Sequence, residues 1–197
     1  MYLNFYGLKK EPFNITPDPA FLFLSPTHRE AMASIVYGVE KRKGFILLTG
    51  DVGTGKTSIL RSYLEETDKD RIKVIYIYNT NASFWRLLQT IFKELGMEEA
   101  GYDTYEVVGR LYRVLMDEYE RGRNLVLVID EAQNMPVKTL ENLRMLSNLE
   151  TSTDKLIQIV MAAPPEFENL LNLDELRQLK QRMAVRAKIL PFTKEEA

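Results

Sequence analysis

The residues best suited to chemistry form one short segment in the first third of the chain. It follows a strongly apolar run at 45–48, precedes an amphipathic helical pattern from residue 58, and reads Gly50-Asp51-Val52-Gly53-Thr54-Gly55-Lys56-Thr57-Ser58. Glycines let the backbone curve so that its N–H groups point at a polyphosphate, and the helix N-terminus adds partial positive charge. Lys56 would reach the outer phosphates, and the Thr57 hydroxyl would bind magnesium. The segment therefore predicts a site for a nucleoside triphosphate with Mg²⁺. A glycine-rich turn with a chance lysine is the alternative, which the flanking pattern disfavours.

Two acids follow a second apolar run, at 125–129, and would complete this site. Asp130 comes first and Glu131 second. At the carboxyl edge of a parallel sheet, Asp130 would hold the magnesium through water, and Glu131 would polarise the water that attacks the γ-phosphate. The second acid indicates a hydrolase rather than a kinase.

Three further side chains are candidates for the same reaction. Asn79 follows the strand predicted at 73–78 and could hold Glu131 in an inactive rotamer, although asparagine is also common where strands end. Arg182 is the first candidate, and Arg186 the second, for an arginine that stabilises the transition state in a neighbouring subunit. Both belong to a stretch without acids, whose basic residues are Arg177, Lys180, Arg182, Arg186 and Lys188. A helix C-terminal charge and a nucleic-acid contact are the alternatives for this stretch.

The single histidine, His28, lies in the first turn of a predicted helix that begins at Pro26 after the N-cap Ser25. There it could face adenine together with Phe13 or Tyr37. A histidine without a binding role is the alternative.

These residues need a framework that brings strand ends together. Apolar strand patterns occur at 45–48, 73–78, 125–129, 156–161 and 185–190, and helical patterns at 26–43, 58–64, 83–95, 104–121, 136–150 and 167–182. Alternation of strands and helices predicts an α/β fold with a parallel sheet of about five strands, helices on both faces, and a ligand at the carboxyl ends of the strands.

Composition and boundaries narrow the class of protein further. The chain has 197 residues, a formal net charge of −2 and no cysteine, which disfavours disulfide scaffolds and Cys-based metal sites. No apolar run approaches the ~18 residues that a membrane span needs. We expect a soluble cytoplasmic protein, or one at the inner-membrane face if it belongs to a longer chain. We expect an extended, packed arm at 1–25, a core at 26–192, and at 193–197 the start of a further helix, since Thr193 and Glu196 form a capping box.

With these residues placed, the chain resembles the AAA+ P-loop ATPases, and within them the ExeA/GspA-type ATPases of bacterial general secretion. The stretches that carry the resemblance are 5–8 with 12–13, 16–19, 23–25 with 28–31, the phosphate loop, 130–133, 176–179 and 181–182. The resemblance implies ATP and Mg²⁺, homo-oligomers, and a partner in a secretion system or at a membrane, without membrane insertion by this chain. It places Asn79 at the glutamate-switch position and Arg182 at the arginine finger. It also implies that the AAA+ lid would lie beyond Ala197.

One departure from the resemblance concerns the fourth strand. Similar proteins end this strand with a polar residue in a Gly-Gln-Pro-Glu-like sequence, whereas this chain reads Ala162-Ala163-Pro164-Pro165-Glu166. The first three of these side chains cannot donate a hydrogen bond to a phosphate.

From the motifs and the resemblance together, the leading hypothesis is an oligomeric ATPase that remodels or assembles its client. A DNA-binding regulator like the related TniB/MuB-type transposition ATPases and a slow nucleotide switch or scaffold are the alternatives.

Overall fold

A computed structural model describes residues 2–9, 11, 23–78, 80–97 and 103–196 of the chain. The helices are α1 (Tyr2–Tyr6), α2 (Pro26–Glu40), α3 (Lys56–Glu66), α4 (Phe84–Glu94), α5 (Thr104–Glu120), α6 (Val137–Ser147), α7 (Phe167–Leu171) and α8 (Arg177–Gln181). The strands are β1 (Phe45–Gly50), β2 (Ile72–Ile77), β3 (Asn124–Ile129), β4 (Ile157–Ala163) and β5 (Met183–Ile189). Short 3₁₀ turns lie at Ala132–Asn134 and Asp174–Leu176.

The five strands form one parallel sheet in the order β2-β3-β4-β1-β5. Strands β3 and β4 are buried along their whole length, as expected for parallel strands covered on both faces. The α/β fold with a five-stranded parallel sheet is therefore confirmed.

Alternating side chains of each strand supply two hydrophobic cores. On β1, Phe45 and Leu47 face the core formed with α4, α5 and α6, whereas Ile46 and Leu48 face the core formed with α2 and α3. This division follows from the two-residue period of a strand. It fixes both faces of β1 and so fixes the position of the loop that follows it.

The parallel arrangement puts all five strand carboxyl ends at one edge of the sheet. Gly50 pairs with Ile189 at this edge, and Phe45 pairs with Met183 at the opposite one. The site residues that follow β1 and β3 therefore lie at the first edge. Within the part of the chain that is described, no helix is both long and apolar enough to cross a membrane.

Two of the expected elements differ in the structure. The helix predicted over 167–182 is divided into α7, a 3₁₀ turn and α8, because Leu173 is extended and redirects the chain. This bend lets Phe167, Leu171, Leu176 and Leu179 enter one core.

The extended conformation expected for residues 1–25 is wrong at Tyr2–Tyr6, which form α1 with no buried residue. No proline interrupts this helix, because the first proline of the segment is Pro12, beyond the helix end. Residues 12–22, including Phe13, lie outside the described residues.

Candidate functional site

The phosphate loop leaves β1 at Gly50 and enters α3 at Lys56. Gly55, the residue before the helix, has a φ of 87°, a left-handed conformation that side chains disfavour. A Cβ at Gly50 would lie 2.6 Å from Thr54 Oγ1 and 2.9 Å from the Ile189 carbonyl oxygen. Glycine is therefore required at the loop's start by close packing and at its end by backbone conformation.

Lys56 folds back over the loop, and only 6% of it is exposed. Its Nζ donates to the carbonyl oxygens of Gly50, at 2.8 Å, and Asp51, at 3.0 Å. These bonds hold the ammonium group inside the ring of loop residues. A polyphosphate in the loop would meet a positive charge that is already positioned.

Asp130 follows β3 and meets Thr57 from the start of α3. Thr57 Oγ1 donates to Asp130 Oδ2 at 2.7 Å, so residues 73 positions apart in the chain are brought together. A hydroxyl beside a carboxylate is a set of oxygen ligands that suits Mg²⁺. The pair predicted from two separate motifs is therefore in contact.

Tyr76 on β2 is a third member of this cluster. Its hydroxyl donates to the same Asp130 Oδ2 at 3.0 Å. Burial, and then the adjacent Asp130 charge, raise the pKa of Tyr76 well above its ordinary value, so the hydroxyl remains a donor. This role of Tyr76 could not be predicted from the sequence, because the alternating strand pattern indicates only that Tyr76 faces away from Ile75 and Ile77.

Glu131 occupies a strained position at the same edge. Its φ is 55°, and its N–H donates to Asp130 Oδ1 at 3.0 Å. A residue other than glycine in this conformation is uncommon and often marks a functional site. The side chain is exposed, and Gln133 Nε2 donates to Glu131 Oε2 at 2.5 Å. Gln133 belongs to the stretch 130–133 that carries the resemblance, but the sequence alone indicated no role for it.

A cavity of about 530 Å³ opens beside these acids. Its wall includes Thr57, Arg61, Tyr76, Asp130 and Glu131. Asn79 lies outside the described residues, but its neighbours Tyr78 and Thr80 both line this cavity. The end of β4 adds no polar side chain: Ala162 and Ala163 are fully buried, and Ala163 pairs with Thr49.

His28 is held against the phosphate loop. It is 2% exposed; its Nδ1 lies 2.7 Å from Ser25 Oγ, and its Nε2 lies 2.9 Å from the Thr54 carbonyl oxygen. Its ring stacks on Phe192 with centroids 5.3 Å apart. Both ring nitrogens are therefore engaged within the chain, and the adenine contact of His28 stays a prediction.

Arg182 lies at the opposite edge of the sheet from the loop. It directly precedes Met183, which pairs with Phe45 at the start of β1. Its Nη1 donates to Ser147 Oγ and to Asn148 Oδ1, both at 2.6 Å. The length of β1 separates it from its own phosphate loop by about 16 Å, at roughly 3.3 Å per residue.

Two other members of the basic stretch are paired with an acid from outside it. Arg186 Nη1 lies 2.9 Å from Glu168 Oε1, and Lys180 Nζ lies 3.5 Å from Glu168 Oε2. Arg177 and Lys188 are exposed. The stretch is therefore less positive in the folded protein than its sequence indicates.

The chain matches a known domain family over most of this core. Residues 39–171 match the family described as AAA domain. This range includes β1 through β4, the phosphate loop and both acids. Arg182 and His28 lie outside it.

Similar proteins share either the sequence or the fold. General secretion pathway protein A of Aeromonas hydrophila is 37% identical over 200 residues, which cover all of this chain but 36% of that protein. The chain thus spans about a third of this relative. Cdc6p from Pyrobaculum aerophilum has a TM-score of 0.62 at 24% identity, over 88% of this chain and 48% of that one. The ORC2 protein of Aeropyrum pernix, in its ADPNP–ADP complexes, has a TM-score of 0.68 at 16% identity, over 94% and 52%.

Proposed function

The chain belongs to the AAA domain family, and from that premise we propose that it binds ATP with Mg²⁺ and hydrolyses the ATP. The observation that carries this proposal is the contact between Thr57 and Asp130 directly beside Lys56 and Glu131. Together the four side chains would meet three requirements of the reaction: Lys56 would bind phosphate, Thr57 and Asp130 would bind the metal, and Glu131 would activate water.

The residues present fit a magnesium ion. Thr57 and Asp130 would hold it, since the two side chains offer hard oxygen ligands at one point and Tyr76 orients the carboxylate. When bound, Mg²⁺ offsets the negative charge of the phosphate oxygens.

Side chains of the protein would bind the phosphates and activate the attacking water. Lys56 exchanges its bonds to the Gly50 and Asp51 carbonyl oxygens for bonds to phosphate oxygens. Glu131 accepts hydrogen bonding from the attacking water and takes its proton. Asn79 is predicted to be the glutamate switch, the residue that restrains Glu131 before this step.

The arginine that completes the site is proposed to come from a second copy. Arg182 cannot reach its own phosphate loop, because the full length of β1 lies between them. Head-to-tail contact between copies would place the Arg182 edge of one copy against the loop edge of the next. We therefore propose a homo-oligomer, with Arg186 as a weaker candidate because Glu168 already pairs with it.

The client is proposed from the relative named above. Because the chain is 37% identical to a general secretion pathway protein, we propose that its ATPase cycle remodels or assembles part of a secretion system, with a membrane-associated partner on the cytoplasmic side. The core at 26–192 would supply the ATPase.

Two variants test the proposed activity. Lys56→Ala should lose ATP binding, because the buried ammonium group is removed. Glu131→Gln should retain ATP binding and lose phosphate release, because only the base is removed. Equilibrium binding of a labelled ATP analogue and steady-state phosphate release measure the two effects. Equal binding and turnover in both variants and the parent protein would exclude this site assignment.

The alternatives make different predictions. A DNA-binding regulator would use the basic stretch at 177–188, so ATP-dependent binding to duplex DNA that weakens steeply with salt would support it. Pairing of Lys180 and Arg186 with Glu168 disfavours this alternative. A slow switch or scaffold, favoured by the apolar end of β4, would bind ATP tightly with little turnover at any protein concentration.

A further inference from the structure

His28 makes contacts that serve the phosphate loop rather than its own helix. The Thr54 carbonyl oxygen can only accept a hydrogen bond, so Nε2 of His28 carries the proton and donates to it at 2.9 Å. Nδ1 lies 2.7 Å from the Ser25 hydroxyl oxygen, within hydrogen-bond distance. Both ring nitrogens are therefore engaged, and these two neighbours fix the orientation of the imidazole ring.

Ser25 gives up its usual role to make this arrangement. It occupies the N-cap position of α2, where a serine side chain ordinarily accepts from a backbone N–H of the first turn. Here the N-cap makes no such bond, and its hydroxyl instead contacts the His28 ring. A local preference given up in this way indicates that the orientation of His28 matters more than the cap.

The bond to Thr54 fixes a group on the other side of the same peptide. A trans peptide is planar, with its C=O and N–H pointing in opposite directions. Because the Thr54 carbonyl points at His28, the Gly55 N–H points away from His28. Gly55 also allows the close approach, since a Cβ there would lie 3.2 Å from His28 Nε2.

Residues that follow β5 hold the ring in place. Phe192 stacks on His28 at an interplanar angle of 29°, and the Leu190 N–H donates to Thr27 Oγ1 at 3.3 Å. Phe192 also contacts Phe23 edge-on, with centroids 5.6 Å apart. One face of the imidazole is therefore covered by this chain, in addition to both nitrogens being used.

We propose that His28 is a positioning residue that orients the Thr54–Gly55 peptide so that the Gly55 N–H faces the phosphates. The proposal rests on nucleotide binding by the loop. In this role His28 would act on binding of the triphosphate, which all nucleoside triphosphates share, and not on binding of adenine.

A matched pair of variants separates this role from packing. His28→Gln retains an N–H donor that can reach Thr54, whereas His28→Met has similar size and flexibility without a donor. Binding of Mg²⁺–tripolyphosphate, which has no base, is measured by calorimetry beside Mg²⁺–ATP. We expect His28→Met to bind both probes about tenfold more weakly, and His28→Gln to stay within about threefold of the parent protein.

Other results would overturn the proposal. Weaker ATP binding with unchanged tripolyphosphate binding would assign His28 to adenine, and equal losses in both variants would assign it to packing. If the parent protein binds both probes and so does His28→Met, the proposal fails while the proposed function stands. If the parent binds neither probe, both fail. Ser25→Ala, which removes the partner of Nδ1 and keeps the ring, covers the case in which His28→Met does not fold: it should weaken both probes equally, and unchanged binding would overturn the proposal.

Discussion

The Glu131 carboxylate is bound by Gln133, whose amide has a fixed orientation. Gln133 Nε2 donates to Glu131, and its Oε1 is buried without a hydrogen-bond partner in the described part of the chain. Exchanging the two amide atoms would set two oxygens against each other 2.5 Å apart. The orientation is therefore maintained by the charge of Glu131, even though a buried acceptor stays unpaired.

This geometry predicts that Gln133 restrains Glu131. Gln133→Met should raise turnover by up to roughly tenfold, since it removes one charge-assisted hydrogen bond that must break before Glu131 can activate water. ATP affinity should not change. Steady-state phosphate release and equilibrium binding measure the two quantities, and the same substitution in a Glu131→Gln background is the control, expected to have no effect. Lower turnover in Gln133→Met would show that the bond is needed for catalysis instead.

Site residues that belong to a motif could be predicted from the sequence, whereas residues whose roles depend on side-chain geometry could not. Thr57 and Asp130 were both predicted, because a glycine-rich loop and an acidic strand end each have a local signature and strand order brings them together. Tyr76 has no such signature, and Gln133 lies in the stretch 130–133, which indicates the family but no role for its side chain. Their roles depend on strand register and rotamers, which sequence spacing does not determine.

At the scale of elements, the close approach of α2 to the sheet depends on Gly38. A Cβ at this position would lie 2.4 Å from Ile46 Cγ1 on β1 and 3.5 Å from Val185 Cγ2 on β5. Ile46 Cγ1 is bonded directly to the branched Cβ, so it cannot move far in a packed core. The absence of a side chain at Gly38 therefore allows α2, the helix that carries His28, to pack closely against β1.

A pair of glycine substitutions tests this contact. Gly38→Ala should lower the free energy of unfolding by about 1–3 kcal/mol through overpacking. Gly109→Ala in α5, where nothing lies within 4 Å of the added Cβ, should raise it by about 0.5–1 kcal/mol through helix propensity. Urea denaturation followed by circular dichroism measures both values. A stabilised Gly38→Ala protein would mean that α2 is free to move away from β1.

The end of β4 lacks the polar side chain that the resemblance predicts there. Ala163 is fully buried and paired with Thr49, and Pro164 follows it, half-buried. The Pro164 carbonyl accepts from the Phe167 N–H at 3.0 Å, so the turn into α7 does not depend on the proline ring.

Substitution at this position should therefore change chemistry without losing the turn. Pro164→Gln adds a donor near the phosphate edge and should raise the ATP turnover number by roughly tenfold while ATP affinity changes little. Pro164→Leu, of similar size without a donor, is the control. Single-turnover measurements separate the chemical step from product release. Equal rates in both variants would show that β4 has no role in sensing phosphate.

Element existence was predicted better than element continuity. The buried strands and long helices were identified because their apolar periodicity extends over many residues. The helix expected at 167–182 failed because an apolar pattern of helical spacing also fits short helices joined by an extended Leu173. Tertiary packing of Leu176 and Leu179 decides between the two, and no local signal reports it.

For the whole molecule, Arg182 and the phosphate loop lie at opposite edges of one sheet. A mixture of Glu131→Gln, with an intact arginine, and Arg182→Ala, with an intact loop and base, should recover activity that neither protein has alone. Random neighbours would make about a quarter of the contacts productive. Phosphate release at constant total protein measures this, and a mixture of Arg182→Ala with the Glu131→Gln/Arg182→Ala double variant should stay inactive. No recovery in the first mixture would exclude Arg182 as a residue supplied in trans.

The separation of these two edges also determines how many complete sites a given number of chains can form. Suppose that the arginine of each copy enters the site of one neighbour, and that the site of each copy receives the arginine of its other neighbour. An open row of copies then always has an unused arginine at one end and an incomplete site at the other. A pair of chains then has one working site, a row of three has two, and only a closed ring has as many sites as chains. Activity per chain would thus report the number of neighbours in line, and would reach its full value only when the row has no ends.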